Sequence, residues 1–204
     1  MSEIVLLGLN HKTAPVEVRE CIAFSPDQTA AALVDLKNEP VVSEVLLFST
    51  CNRVEVLLVT EQISEAVDTA KRLIARFNQI ALSEFENVLY IHTGDQAVQH
   101  LFRVAASLDS MVVGEPQILG QIKQAYRLAT QQQTAGVVLN RLFHRAFFVA
   151  KRIRSETGIG GHAVSISYAA NELGRKIFGN LEGKKVLLIG DGEMAELAVA
   201  HLIR

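Results

Sequence analysis

Cys51 is the residue with the clearest claim to covalent chemistry. It stands in Thr50-Cys51-Asn52-Arg53, between two runs rich in β-branched and apolar residues. The thiolate is the reactive form of cysteine, and a neighbouring cation such as Arg53 favours it. A turn at a strand end also presents a side chain to solvent or substrate. The competing reading is a small buried apolar side chain beside a strand. Cys21, in Arg19-Glu20-Cys21-Ile22-Ala23, lacks any such setting and is assigned to that buried role. A second chemical element is Gly190-Asp191-Gly192-Glu193-Met194-Ala195, directly after the strand-like run 184–189, whose residues 186–189 are apolar. Gly190 suits a tight turn, Gly192 lets the backbone approach a pyrophosphate, and Ala195 allows close helix packing. The free N–H groups of the helix that follows can bind phosphate. An ordinary strand-to-helix turn would read the same way, and Asp191 would repel a phosphate beside it.

The elements that must position these residues fall into three stretches. Residues 4–8 read as a buried strand, followed by the loop 10–15. Ser25-Pro26 opens a helix to about Lys37, with serine as N-cap and proline at the first helical position. Residues 45–49 and 54–59 are strand-like, Ser64 is read as the cap of a helix to about Asn78, and residues 88–91 form a fourth strand. The order strand, helix, strand, strand, helix, strand is the ferredoxin-like pattern, placed at residues 1–92. From Thr93 the period becomes helical, with Thr93 and Gln96 at capping-box spacing. Helices are expected from there to about residue 105, from Pro116 to about 131, and over 137–157, giving a helical subdomain at 93–158. His100 lies on the first of these, among Ala97, Leu101 and Val104, where a satisfied core histidine is the plain reading. Gly158-Ile159-Gly160-Gly161 reads as a joint and residues 165–178 as a linking helix. Residues 184–189 read as a central parallel strand. The fold class is therefore α/β, with 159–204 carrying the linker and the first β-α unit of a nucleotide-binding domain. One strand and one helix cannot bury their apolar faces alone, so a longer parent is expected.

Bulk properties narrow the function. The 204 residues are 49% hydrophobic, enough for a real core, and the formal net charge of −2 argues against a wholly basic nucleic-acid-binding surface. Two cysteines, without CxxC or a Cys/His cluster at zinc spacing, predict neither a disulfide framework nor a metal site. The start of the chain lacks signal-peptide character, and no apolar run is long enough for a membrane span. A cytoplasmic setting is expected.

Three motifs then carry a resemblance. Gly8-Leu9-Asn10-His11-Lys12-Thr13-Ala14-Pro15, Ser49-Thr50-Cys51-Asn52-Arg53, and Asp109-Ser110-Met111-Val112 continuing through Gly114-Glu115-Pro116-Gln117 to Gln121 occur in the order and spacing of glutamyl-tRNA reductases. The chain resembles the N-terminal part of that family over its whole length. The departure is Asp191, where the family usually has a small residue. The resemblance implies NADPH-dependent reduction of glutamyl-tRNA to glutamate-1-semialdehyde, an entry step to tetrapyrroles. Cys51 would attack the ester to give a thioester, dividing a hard step into two easier ones. Arg53 would grip the substrate carboxylate in a bidentate fork, with Thr50 and Asn52 holding the glutamyl group. Ser110, Glu115, Pro116, Gln117 and Gln121 would complete the pocket. Glu115 would pair with the substrate ammonium or cap the helix at Pro116. His100 would activate the thiol, protonate a leaving group or orient its neighbours. Residues 190–195 would hold NADPH. The resemblance also implies the aminotransferase that consumes the semialdehyde as a partner, and dimerisation through a C-terminal domain outside this chain. The chain itself is then expected to be a monomer retaining acyl transfer or esterase chemistry.

On a helical wheel of residues 137–157, Leu139, Phe143, Ala146, Phe147, Ala150 and Ile153 share one face. Arg141, Arg145 and Arg152 share the other with Phe148. That second face is either solvated or meets RNA. Two other functions compete with the family reading. A semialdehyde or aldehyde dehydrogenase would place its nucleotide fold before the nucleophile, whereas here Cys51 precedes Gly190. A non-catalytic RNA-binding or regulatory module would not need Cys51, Arg53, Ser110 and Gln121.

Overall fold

The computed structural model describes residues 2–160, 166–190 and 193–202. Strand β1 (Glu3–Asn10) is buried from Val5 to its end. A short helix α1 (Val16–Cys21) follows Pro15; six residues are too few to show a helical period, so nothing in the residue pattern announces it. Helix α2 (Pro26–Lys37) has a complete capping box: Ser25 Oγ accepts from the Gln28 N–H and the Gln28 side chain accepts from the Ser25 N–H. Strands β2 (Glu44–Thr50) and β3 (Arg53–Thr60) form a hairpin around Cys51-Asn52.

Helix α3 (Ile63–Asn78) is capped at Gln62 without a side-chain bond, so Ser64 lies inside its first turn and not at its cap. Strand β4 is Tyr90–Thr93, two residues later than the expected 88–91. The reason is local: two 3-10 turns, Leu82–Glu84 and Glu86–Val88, sink Phe85 completely into the core before the strand can start.

The four strands form an antiparallel sheet in the order β2-β3-β1-β4. Helices α4 (Gly94–Ala105), α5 (Gln117–Gln131) and α6 (Val137–Glu156) follow. Thr93 is the N-cap of α4, but its side chain makes no capping bond. Every residue of β3 is buried, so both faces of the sheet are covered. Leu6, Leu46 and Leu57 meet Leu101, Ile122 and Phe143 of the three later helices around a small enclosed space. Strand alternation turns Leu47, Val56 and Leu58 the other way. The core runs as one cluster from Val5 to Ala150, so α4 to α6 pack as a second layer of the same body.

Two contacts lock that layer to the edge of the sheet. The Val45 N–H donates to the Thr134 carbonyl (2.9 Å), which covers part of the exposed edge of β2. The buried Glu44 carboxylate accepts from the Val138 and Leu139 N–H groups at 3.0 and 2.7 Å. A strand residue thereby caps the α6 N-terminus, where orphan donors and the helix dipole favour an anion. Gly136 leaves room for it, since a Cβ there would lie 2.5 Å from Glu44 Oε1.

Helices α7 (Ile166–Phe178) and α8 (Glu193–Leu202) contact each other. Gly179 ends α7 with φ +72°, as a helix-terminating glycine should. The strand expected at residues 184–189 is not formed. Val186, Leu187 and Ile189 are more than half exposed, and a strand exists only when a neighbour pairs with its backbone. Among the described residues no helix is long and apolar enough to cross a membrane.

Glu44→Ala should lower the unfolding free energy by about 2 kcal/mol, the scale of charge-assisted hydrogen bonds removed from a buried helix cap. Urea denaturation checks this; a change of only about 0.3 kcal/mol, the level of an ordinary surface substitution, would show that α6 does not depend on this cap.

Candidate active site

The β2–β3 turn owes its shape to Thr50, whose Oγ1 accepts from the Asn52 and Arg53 N–H groups, each at 3.2 Å. A second clamp comes from α1. Arg19, 9% exposed, donates through Nη1 to the Cys51 carbonyl (2.8 Å) and to Asn52 Oδ1 (2.9 Å). Cys51 is free and exposed at the apex. It opens onto a small cleft of about 170 Å³, lined by Thr50, Cys51, Asn52, Arg53, Ser110, Met111, Glu115, Gln117, Ile118 and Gln121. Three elements build it: the turn, the loop before α5, and the first turns of α5. Ser110 Oγ is buried without a hydrogen-bond partner among the described residues, and Ser110 lines the cleft. An unpaired buried hydroxyl costs free energy that a polar ligand would recover.

Behind the turn lies a buried charge cluster. Arg53 is 1% exposed. Its Nη1 donates to Glu55 Oε1 (2.6 Å), and its Nη2 to Asp109 Oδ2 (3.0 Å) and to the Asp109 carbonyl. Glu55 Oε1 also accepts from the Tyr90 hydroxyl and is bonded to His100 Nε2 (2.9 Å). An ionised carboxylate only accepts, so His100 Nε2 carries the proton. Asp109 further accepts from Asn10 Nδ2 (3.1 Å) and Lys12 Nζ. The Asn10-His11-Lys12 segment thus anchors the loop that bears Ser110 and Glu115. Gly8 is required one step earlier in β1: a Cβ there would lie 2.4 Å from the Val54 carbonyl oxygen and 2.8 Å from Glu55 Cγ.

Electrostatics follow from these contacts. Burial alone would raise the Glu55 carboxyl, but Arg53 and the bonds from His100 and Tyr90 outweigh it and hold it at about 2. Asp109 is likewise held low, because Lys12 and Arg53 overcome its burial. Tyr90 is raised by burial and by the Glu55 charge. His11 and His92 are lowered, mainly by burial. Glu115 is raised by burial with no opposing charge.

The structure brings together Cys51, Thr50, Asn52, Arg53, Ser110, Glu115, Gln117 and Gln121 at one cleft. Pro116 is not among its lining residues; it is the N-cap of α5, so Glu115 does not fill that role. Both terminal nitrogens of Arg53 are taken by Glu55 and Asp109, so the fork expected for a substrate carboxylate is occupied by protein carboxylates. His100 does not line the cleft. It lines a separate hollow with His92, Gln96, Gln99 and Arg103, and reaches Cys51 only through Glu55 and Arg53. Cys21 is exposed at the end of α1 and not buried as its sequence setting suggests; a six-residue helix turns most of its surface to solvent.

Of the nucleotide-turn positions, Gly190 has φ +115°, which favours glycine. Asp191 and Gly192 lie outside the described residues, as do residues 161–165, which include the end of the expected joint. Of Glu193, Met194 and Ala195 only the helical backbone is described. Sequence reasoning does not find Arg19, Glu55, Asp109 and Tyr90 as parts of the site. Two signals bear on them: the alternation of β3 puts a glutamate on a covered face at position 55, and Asp109 opens the motif that runs to Gln121.

A family profile, "Glutamyl-tRNAGlu reductase, N-terminal domain", matches residues 7–157. A second, "Shikimate / quinate 5-dehydrogenase", matches residues 172–204. The glutamyl-tRNA reductase of Desulfatibacillum aliphaticivorans is 60% identical over 201 residues, covering 98% of this chain and 46% of that protein. That of Pelobacter propionicus is 52% identical over 200 residues, with the same coverages. The solved structure of the glutamyl-tRNA reductase from Methanopyrus kandleri is similar at TM-score 0.70 and 36% identity, covering 98% of this chain and 46% of that one. The chain thus spans a little under half the length of these relatives.

Glu55→Gln should cost about 3–5 kcal/mol at pH 7, because it leaves Arg53 buried and half-paired. The wild-type carboxyl is depressed from 4.5 to about 2, so its stabilisation is complete above pH 4.5 and lost as the pH falls toward 2. The wild-type advantage in urea should therefore shrink steadily as the pH is lowered from 4.5 toward about 2. A gap independent of pH would show that the Glu55 charge does not stabilise the fold.

Proposed function

The chain belongs to the glutamyl-tRNA reductase family, and we propose that Cys51 accepts the glutamyl group of a glutamyl-RNA ester as a thioester. The observation that carries this reading is the exposed Cys51 in the wall of a cleft to which Thr50, Asn52, Ser110, Glu115, Gln117 and Gln121 also contribute. The thiolate sulfur attacks the ester carbonyl carbon. A C–S bond forms, the C–O bond to the ribose breaks, and the leaving oxygen takes a proton. Splitting the reaction in this way replaces a poor acceptor by a more electrophilic acyl group.

The remaining roles follow from chemistry. Thr50, Asn52, Ser110, Gln117 and Gln121 hold the glutamyl group by hydrogen bonds, with Ser110 gaining a partner that it otherwise lacks among the described residues. Glu115 meets the substrate ammonium, which would relieve its buried, uncompensated charge. Arg53 acts from behind: paired with Glu55 and Asp109, it fixes the turn and the Ser110 loop. Pro116 starts α5 and so sets where Gln117 and Gln121 stand. His100 is a positioning residue acting through Glu55.

We read the layout as a ferredoxin-like unit (1–92), a helical unit (93–158), and the opening of a nucleotide-binding unit (159–204). The complete family reaction is NADPH-dependent reduction to glutamate-1-semialdehyde, which the downstream aminotransferase consumes in tetrapyrrole synthesis. Residues 184–189 have no strand partner among the described residues, and Asp191 and Gly192 lie outside them, so no step is drawn through the cofactor. The chemistry drawn from this chain therefore stops at the thioester, which water would release as glutamate. Two free, exposed cysteines suit the reducing cytoplasm.

The test is incubation with glutamyl-tRNA, or with a small glutamyl ester, followed by mass spectrometry. A glutamyl adduct on Cys51, absent in Cys51→Ser and present in Cys21→Ser, is the expected result. No adduct in the wild type would sink the proposal and favour a non-catalytic RNA-binding module. Glu115→Gln should raise the melting temperature slightly, since it removes a buried carboxylate, while weakening glutamyl transfer at least about tenfold, as expected when a charge-assisted bond is removed. Unchanged transfer would mean that Glu115 does not meet the ammonium.

A further inference from the structure

We propose that the groove between α5 and α6 docks a single-stranded RNA segment, with Phe148 as its stacking platform. The groove is an open hollow of about 540 Å³ between Leu119 and Lys123 of α5 and Phe147, Phe148, Lys151 and Arg154 of α6. Phe148 is 52% exposed, although α6 has a fully apolar face available for burial. Two guanidinium groups flank its ring, Arg145 at 5.7 Å and Arg152 at 5.9 Å from the centroid. On the groove's other side Lys123 Nζ stands 5.8 Å from the centre of the Phe147 ring. Exposed aromatic faces between cations are what single-stranded nucleic acid requires: phosphates meet the charges, and bases of any identity stack on the rings.

Charge distribution supports the same occupant. The chain as a whole is slightly acidic, yet α5 and α6 carry seven of its twenty lysines and arginines and one of its twenty-two acidic residues. That one, Glu156, forms a two-bond pair with Arg152 and offsets part of its charge, so Arg145 is the stronger cation beside Phe148. The cationic surface is therefore concentrated on two helices, and the remainder of the chain, being net acidic, disfavours a polyanion elsewhere.

The groove is also joined to the cleft. Helix α5 is a shared wall: Gln117, Ile118 and Gln121 line the cleft, and Leu119 and Lys123 line the groove. The two lie on opposite sides of one helix, about 10 Å across. Arg154 Nη1 donates to the Gly114 carbonyl (3.1 Å), next to Glu115 of the cleft. An RNA whose terminal ester enters at Cys51 would lay the nucleotides just before it across Phe148. This last step rests on the reading of Cys51 as acyl acceptor; binding of RNA in the groove does not.

The test uses fluorescence anisotropy with a labelled, unacylated single-stranded RNA oligonucleotide and the 204-residue chain. Phe148→Ala should weaken binding about tenfold or more, as removal of one stacked base does. The double variant Lys123→Ala, Lys151→Ala should reduce the slope of log K against log salt by about 1.4, at ~0.7 for each single-strand phosphate no longer neutralised. Acylation of Cys51 by a small glutamyl ester should be the same in all three proteins, because neither change touches the cleft. Wild-type affinity in Phe148→Ala overturns the proposal, as does equal competition by an acidic peptide, by inorganic polyphosphate or by anionic lipid vesicles. If the small ester leaves Cys51 unmodified while Phe148→Ala still fails to hold RNA, the groove stands and the acyl-transfer reading falls.

Discussion

The burial of one guanidinium governs the arrangement. Arg53 is almost wholly removed from water, and an unpaired charge in that position would be strongly unfavourable. Its neutralisation by Glu55 and Asp109 recruits distant pieces of chain. Glu55 belongs to β3, Tyr90 to β4 and His100 to α4, while Asp109 belongs to the loop before α5 and is held in turn by Asn10 and Lys12 at the end of β1. A buried network of this kind is costly when half-satisfied and rigid when complete. Its rigidity is transmitted to the turn that displays Cys51 and to the loop that supplies Ser110 and Glu115. Cys51 is exposed, while Arg19, Arg53 and Glu55 behind its turn are buried.

The sheet serves this cluster on both sides. One layer of helices closes the face away from the cluster, and α4, α5 and α6 close the face on which Glu55 lies. The second layer is secured at the sheet edge by Glu44 and by the Val45–Thr134 backbone bond. Helix α5 consequently has fixed surroundings along its first turns, with the cleft on one side and a basic groove on the other. Helices α5 and α6 carry seven basic residues and one acidic one, an excess not matched by the net acidic remainder of the chain. That imbalance gives the two helices a net positive charge within a weakly acidic chain.

Elements with strong local signals are legible along the chain. Ser25-Pro26 with Gln28 specifies a helix start through bonds that span three residues. The buried and exposed faces of α6 follow from the 3.6-residue period, and Arg145, Phe148 and Arg152 lie together because they share one face. Signals fail where a neighbour decides. Ser64 has a capping residue type, yet the chain enters the helix earlier, through Gln62. Strand β4 starts late because Phe85 must first reach the core. Residues 184–189 have the composition of a buried strand, but composition cannot supply the backbone partners that a strand needs.

The same division separates the site into its two halves. Residue order alone specifies that Cys51 sits in a tight polar turn between strands, that residues 109–121 form a polar loop running into a helix, and that both belong to one family's motifs. These are properties of residues close along the chain, where torsional preference, side-chain period and short-range hydrogen bonds act without help. Folding in three dimensions settles the rest: Arg53 is a buried anchor and not an open fork, Arg19 grips the Cys51 carbonyl, and His100 stands behind the cleft. Those contacts join residues 56, 32 and 45 positions apart. A charge has no preferred partner until folding removes the water that would otherwise solvate it, and which carboxylates then lie within reach is set by the packing of the whole sheet and its helices.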